Sequence, residues 1–133
     1  MTVRPPVILL VDDDTDTRDM YGIALDARGF RVFGAATAAA GIELALAERP
    51  DVVVSDFTLP GDDGFVLATR LRETAALAGT RLILVSGRAF TGGTGDQALQ
   101  LFDRVLMKPV LPDHLIDEIL PLLGDRPSFG LDL

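Results

Sequence analysis

Acidic, hydroxyl and basic side chains occur at four places where an apolar stretch of the sequence ends. Asp12 and Asp13 follow VILLV, Asp56 follows VVVS, Ser86 ends RLILVS, and Lys108 follows RVLM. Carboxylates gathered at one place repel each other and raise one another's pKa. A hard divalent cation such as Mg²⁺ relieves this repulsion, and a lysine supplies a point charge for a carboxylate or phosphate oxygen. These residue types suit the acceptance of a phosphoryl group on an aspartate, if the fold brings them together.

The elements that must position these residues alternate along the chain. Short apolar stretches rich in β-branched residues predict strands over 7–11, 30–35, 51–56, 81–86 and 104–107. Helical spacing and stop signals predict helices over 15–28, 37–48, 64–78, 96–102 and 111–123. Five β-α repeats predict an α/β fold, a doubly wound five-stranded parallel sheet with helices on both faces. Right-handed crossovers favour the flavodoxin-like strand order 2-1-3-4-5.

In that order the strands that carry Asp12 and Asp56 are neighbours at the switch point of the sheet, where ligands bind. Each candidate site residue could also have a purely structural role. Asp56 alone could cap a turn, Ser86 could be a turn residue, and Lys108 could be a surface charge. We expect the other polar residues to have structural roles only: helix-start charges at Asp14 and Asp16, a solvated turn at Asp62 and Asp63, and an exposed helix position at His114.

Composition excludes several classes of protein. The 133 residues suit one domain, and a hydrophobic content of 48% with a mean hydropathy of +0.32 indicates a buried core. The formal net charge of −8 argues against direct nucleic-acid binding and against anionic membrane surfaces. The sequence has no cysteine, membrane-length apolar run or signal-peptide pattern, so the cytoplasm is the expected location. We expect a single domain over 1–124 and a tail over 125–133.

Four motifs resemble the receiver domain of two-component response regulators, of the chemotaxis-regulator-like, single-domain type. They are VDDD, SDFTLPGDDGF, LILVSG and LMKPV. The separations of 43 residues from Asp13 to Asp56, 30 from Asp56 to Ser86, and 22 from Ser86 to Lys108 fit that family without a forced gap. The resemblance covers residues 6–124.

The resemblance implies a role for each site residue. Asp56 would be the phosphoacceptor, Ser86 would hydrogen-bond the phosphoryl group, and Lys108 would pair with it. Asp12, Asp13, Asp56 and the backbone carbonyl of Thr58 would hold Mg²⁺. A sensor histidine kinase or a histidine phosphotransfer protein would donate the phosphoryl group, and a downstream protein target would receive the signal. The chain would not be an enzyme beyond assisting its own phosphorylation and dephosphorylation.

The sequence departs from the family at one position. Receivers commonly carry Tyr or Phe three residues before the lysine, whereas this sequence has Val105. That aromatic ring moves inward when the hydroxyl approaches the phosphate. We expect instead that phosphorylation orders residues 87–102, where the TGGTG run at 91–95 disfavours a stable helix. We also expect Arg88 to influence the lifetime of the phosphorylated form.

Three other classes of protein compete with this interpretation. A dehalogenase-type phosphatase also uses an aspartate, a hydroxyl and a lysine, but its nucleophile follows the first strand and its remaining acids come late. A flavodoxin needs a loop rich in Ser, Thr and Gly after the first strand, where this chain has three aspartates. A pseudo-receiver, a docking module that is never phosphorylated, stays open because of Val105.

Overall fold

The computed structural model describes residues 4–61, 63–87 and 100–124. The strands are β1 (Val7–Val11), β2 (Arg31–Ala35), β3 (Val52–Asp56), β4 (Arg81–Ser86) and β5 (Arg104–Met107). The α-helices within these ranges are α1 (Thr15–Ala27), α2 (Ala38–Glu48), α3 (Gly64–Glu73) and α4 (Pro112–Leu122). A 3₁₀ turn, Ala75–Leu77, follows α3.

The five strands form one parallel sheet in the order β2-β1-β3-β4-β5, which confirms the predicted topology. Every predicted strand agrees with the observed one to within a residue at each end. The agreement has a simple cause, because strands covered on both faces must be apolar along their whole length.

Two apolar cores cover the two faces of the sheet. Alternate residues of a strand point to opposite faces, so Ile8 and Leu10 pack with α1 and α4 while Leu9 and Val11 pack with α2 and α3. Both cores consist mainly of buried aliphatic side chains, with Tyr21 and Phe30 in the first core and Phe102 in the second. The sheet is therefore doubly wound, and its strands are held rigidly between two helical layers.

Side chains begin three of the helices. The carboxylate of Asp14 accepts hydrogen bonds from the backbone and hydroxyl of Thr17, and the hydroxyl of Thr37 accepts one from the backbone of Ala40. Asp63 accepts one from Val66 N at 3.0 Å. The helix-start role predicted for Asp14 is confirmed, and Thr37 caps α2. Asp63 proves to be a helix cap rather than part of a solvated turn, while Asp62 lies outside the described residues.

One predicted helix is too long. The interval 64–78 was expected to be a single helix, but α3 ends at Glu73 because Thr74 adopts an extended backbone, and the chain continues as the 3₁₀ turn. The predicted helix over 96–102 lies mainly outside the described residues, so four α-helices are seen where five were expected. Arg88, the 91–95 run and the tail over 125–133 also lie outside them. No helix in the described ranges is both long and apolar enough to cross a membrane.

Candidate functional site

The carboxyl edge of the sheet brings three aspartates together. Val11 of β1 pairs with Ser55 of β3, so Asp12 and Asp56, the next residue on each strand, lie side by side. One carboxylate oxygen from each of Asp12, Asp13 and Asp56 lies within 4.8 Å of the others. The expected convergence of these three acids at the switch point is therefore present.

Lys108 reaches the same place from β5. Its ammonium nitrogen Nζ lies 3.1 Å from Oδ1 of Asp56, and the Asp56 side chain is only 12% exposed. The backbone N–H of Lys108 donates to the carbonyl of Ser86 at 2.8 Å, which fixes the end of β5 against the end of β4. The peptide bond from Lys108 to Pro109 is cis.

Ser86 and Thr58 lie near Asp56, Ser86 at the end of the neighbouring strand and Thr58 in the loop that follows β3. Asp56 pairs with Val85 across β3 and β4, so Ser86 lies one residue beyond the partner of Asp56 and is 1% exposed. Thr58 lies two residues after Asp56 and forms an antiparallel bridge with Asp63, which closes the loop before α3. The sheet thus brings all five strand-end residues of the sequence prediction to one edge.

The charges of the cluster do not balance. Burial raises the pKa of Asp12, and the carboxylates of Asp56 and Asp13 raise it further, against the lowering effects of the Asp14 backbone N–H and of Lys108. Within the part of the chain that the structure describes, the cluster contains three carboxylates and the one ammonium group of Lys108. A set of hard, clustered oxygen donors with excess negative charge fits a small divalent cation, and Mg²⁺ prefers such ligands.

Backbone contacts hold Asp12 in place. Its N–H donates to Ala35 O of the neighbouring strand at 3.0 Å, and its Oδ1 accepts from Asp14 N at 2.9 Å. Its carbonyl accepts a hydrogen bond from the guanidinium of Arg18 on α1. Asp12 is therefore fixed by the sheet, by the loop and by the helix.

Two residues that support the site were not predicted from the sequence. Gly64 begins α3 so close to β3 that a Cβ atom there would lie 2.8 Å from Asp56 O, and its N–H donates to Phe57 O at 2.7 Å. Tyr21 of α1 donates its hydroxyl to Val110 O at 2.6 Å, which ties α1 to the segment after Lys108. Gly64 is visible in the sequence motif, but its contact is not, because it depends on how closely helix and strand approach.

Three further points of the sequence analysis concern residues outside the cluster. Val105 pairs with Leu84 and is 42% exposed on β5. The ordering predicted for 87–102 stays a prediction, because 88–99 lie outside the described residues. His114 is an exposed helix residue as expected, with its Nε2 3.6 Å from Oε2 of Glu118.

Comparison with known proteins identifies the family. Residues 8–120 match the response regulator receiver domain family, so the chain belongs to it. The transcriptional regulatory protein AfsQ1 of Streptomyces coelicolor is 39% identical over 83 residues, which cover 62% of this chain and 36% of that protein. A 14.6 kDa protein in the sodA1 3′ region of Leptolyngbya boryana is 38% identical over 111 residues, covering 82% and 83% of the two chains.

A solved structure gives the same result for the fold. The CheY-like receiver domain protein of Methanospirillum hungatei superposes with a TM-score of 0.82 and 29% identity, covering 91% of this chain and 95% of that one. Several of the curated relatives are longer proteins, of which this chain matches about a third to a half. The shared part is the receiver unit of two-component response regulators.

Proposed function

We propose that this chain is a phosphoacceptor receiver, in which Asp56 takes a phosphoryl group from a phosphohistidine with the help of Mg²⁺. The observation that carries this proposal is the meeting of the three acids and Lys108 at the carboxyl edge of the sheet. The donor is a sensor histidine kinase or a histidine phosphotransfer protein, and the result is a change in contacts with a downstream protein target.

The residues divide the chemistry between them. A carboxylate oxygen of Asp56 attacks phosphorus, a new O–P bond forms, and the P–N bond breaks with its electron pair leaving on the imidazole of the donor. Asp12, Asp13, Asp56 and the carbonyl of Thr58 would hold Mg²⁺, whose positive charge would offset the negative charge of the phosphoryl oxygens.

Lys108 and Ser86 complete the site in this proposal. The ammonium of Lys108 lies 3.1 Å from Asp56 Oδ1, which supports a role in pairing with the transferred group. The Ser86 hydroxyl would donate a hydrogen bond to that group. Hydrolysis of the acyl phosphate at the same site reverses the switch, so the chain assists its own phosphorylation and dephosphorylation without being an enzyme for another substrate.

The proposed location of the reaction follows from the phosphohistidine donor. We place the reaction in the cytoplasm, where ATP charges histidine donors, and we assign the receiver to residues 1–124 with 125–133 as a tail. The net charge of −8 supports a protein target rather than nucleic acid as the direct partner of this domain.

The test is incubation with acetyl phosphate, with and without Mg²⁺, followed by intact-mass measurement. We expect one phosphoryl adduct that requires Mg²⁺ and is lost in Asp56→Asn. Asp51→Asn is the matched control, because Asp51 lies at the opposite end of β3 and accepts a hydrogen bond from Val7 N at 2.8 Å. The control should be phosphorylated like the wild type.

Other outcomes would assign the chain to a competing class. No adduct with several donors, together with no Mg²⁺ binding, would contradict the proposal and favour the pseudo-receiver docking module. Sustained turnover of the donor without accumulation of an adduct would favour a phosphatase of the dehalogenase type.

A further inference from the structure

The side chain of Arg18 lies over the loop that carries the acidic pair. Its Nη1 donates to the backbone carbonyl of Asp12, and its Nη2 lies 3.4 Å from the hydroxyl of Thr15 at the start of α1. The same side chain lines a small cavity together with Asp12, Tyr21 and Asp56. Arg18 therefore contacts this loop from α1, and its side chain lies next to the carboxylates.

The position of Arg18 depends on a glycine of the neighbouring edge strand. A Cβ atom at Gly34 of β2 would lie 3.3 Å from Cδ of Arg18 and 3.6 Å from its Nε. The aliphatic stem of Arg18 thus packs directly on the bare backbone of β2. A larger side chain at this position would displace the guanidinium from Asp12 without changing any charge.

The contacts of Arg18 indicate placement rather than simple charge neutralisation. Among the described residues no carboxylate oxygen lies within 4.0 Å of its guanidinium, although Asp12, Asp13 and Asp14 are close in the chain. A guanidinium presents several donors in a rigid plane, and here it uses them on a backbone carbonyl and a hydroxyl. The guanidinium therefore fixes the geometry of the loop, whereas a positive charge without these hydrogen bonds would only offset the negative electrostatic potential there.

We propose that Arg18 is a positioning residue for the metal site, which holds the Asp12 backbone so that the Asp12 and Asp13 carboxylates are preorganised for Mg²⁺. This inference rests on the proposed function, because it assigns a role toward the same cation. Partners that orient metal ligands typically contribute about 10–100-fold to metal affinity. Arg18 acts through a backbone carbonyl, so we expect the low end of that range.

The test is calorimetric Mg²⁺ titration without any phosphodonor, accompanied by thermal unfolding in EDTA. We expect Arg18→Gln to weaken Mg²⁺ binding by about tenfold. Arg18→Lys keeps the charge but loses the planar donors, so it should weaken binding nearly as much. Gly34→Val keeps Arg18 but occupies its packing surface, so it should weaken binding without lowering the melting temperature.

Arg28→Gln is the matched control, because it removes one arginine charge from the opposite end of α1. It should bind Mg²⁺ like the wild type. As a second readout, the phosphorylation rate of Arg18→Gln should reach the wild-type maximum at saturating Mg²⁺, with only the half-saturating concentration raised.

The outcomes separate this inference from the proposed function. Normal Mg²⁺ affinity in Arg18→Gln, or wild-type affinity in Arg18→Lys and Gly34→Val, would overturn the positioning role while leaving the phosphoacceptor proposal intact. Absence of Mg²⁺ binding in the wild type would instead overturn the proposed function, and the inference with it.

Discussion

Replacement of Gly64 by alanine tests how closely α3 must approach the phosphoacceptor strand. The added Cβ would lie 2.8 Å from Asp56 O, 3.2 Å from Cα of Phe57 and 3.3 Å from Cδ1 of Leu84. Ordinary contacts of a Cβ begin near 3.4 Å, and two of these three neighbours are backbone atoms that cannot rotate away. The start of α3 and the end of β3 must therefore separate.

The expected cost combines two opposing effects. Overpacking of this kind costs about 1–3 kcal/mol. Alanine gains about 0.5–1 kcal/mol over glycine inside a helix, and less at the first helical residue. We expect a net loss of about 1–2 kcal/mol of unfolding free energy. The displaced atom is the backbone oxygen of Asp56, so the phosphoacceptor itself would shift. Small misplacements of reacting groups slow a reaction strongly, and we therefore expect the phosphorylation rate to fall by about tenfold.

The assay is urea unfolding together with the rate of phosphorylation by acetyl phosphate at saturating Mg²⁺. Gly22→Ala is the matched control, because the nearest atom to a Cβ at Gly22 in α1 is 4.0 Å away. The control should be stabilised by about 0.5–1 kcal/mol and keep its rate. Equal stability and equal rate in Gly64→Ala and the wild type would refute the close-contact argument.

Three further substitutions test the electrostatics of the site and the hydrogen bonds that join elements of the fold. Burial raises the pKa of Asp12, so the folded protein binds a proton there more readily than the unfolded chain does. The ionised Asp12 therefore destabilises the fold, and this destabilisation grows as the pH rises through the raised pKa. Asp12→Asn should therefore raise the melting temperature in EDTA at neutral pH and abolish stabilisation by Mg²⁺; an unchanged or lower melting temperature would contradict this. Tyr21→Phe removes the hydrogen bond to Val110 O and should cost about 1–2 kcal/mol in urea unfolding, whereas a cost near zero would show that water replaces it. Arg72→Met removes donors to the carbonyls of 78, 80 and 101 and to a carboxylate, and should cost about 2–3 kcal/mol, against little change for the exposed Arg70→Met.

The sequence predicted those features that depend on burial and on strand direction. The strands that end at Val11, Asp56 and Ser86 are apolar because both faces of the sheet are covered. The positions at which these strands end could therefore be predicted from the sequence. Parallel strands end at the same edge, and for that reason the convergence of Asp12, Asp56 and Lys108 could also be predicted.

The features that escaped prediction arise from contacts between elements. The contact of Arg18 with Gly34 joins α1 to β2, and that of Gly64 with Asp56 joins α3 to β3. Neither contact leaves a periodic signal in the sequence. The early end of α3 was missed for a related reason, because the alanines after Thr74 favour a helix and only the extended backbone of Thr74 interrupts it.

The most direct test of the central claim is to locate the phosphorylated residue. Borohydride reduces an aspartyl phosphate to homoserine, so the protein would be phosphorylated by acetyl phosphate with Mg²⁺, treated with borohydride, digested and analysed by peptide mass. Homoserine at position 56 alone, absent when Mg²⁺ is omitted, is the expected result. Homoserine at position 12 or 13, or at no position despite bound Mg²⁺, would contradict the assignment of Asp56 as the phosphoacceptor.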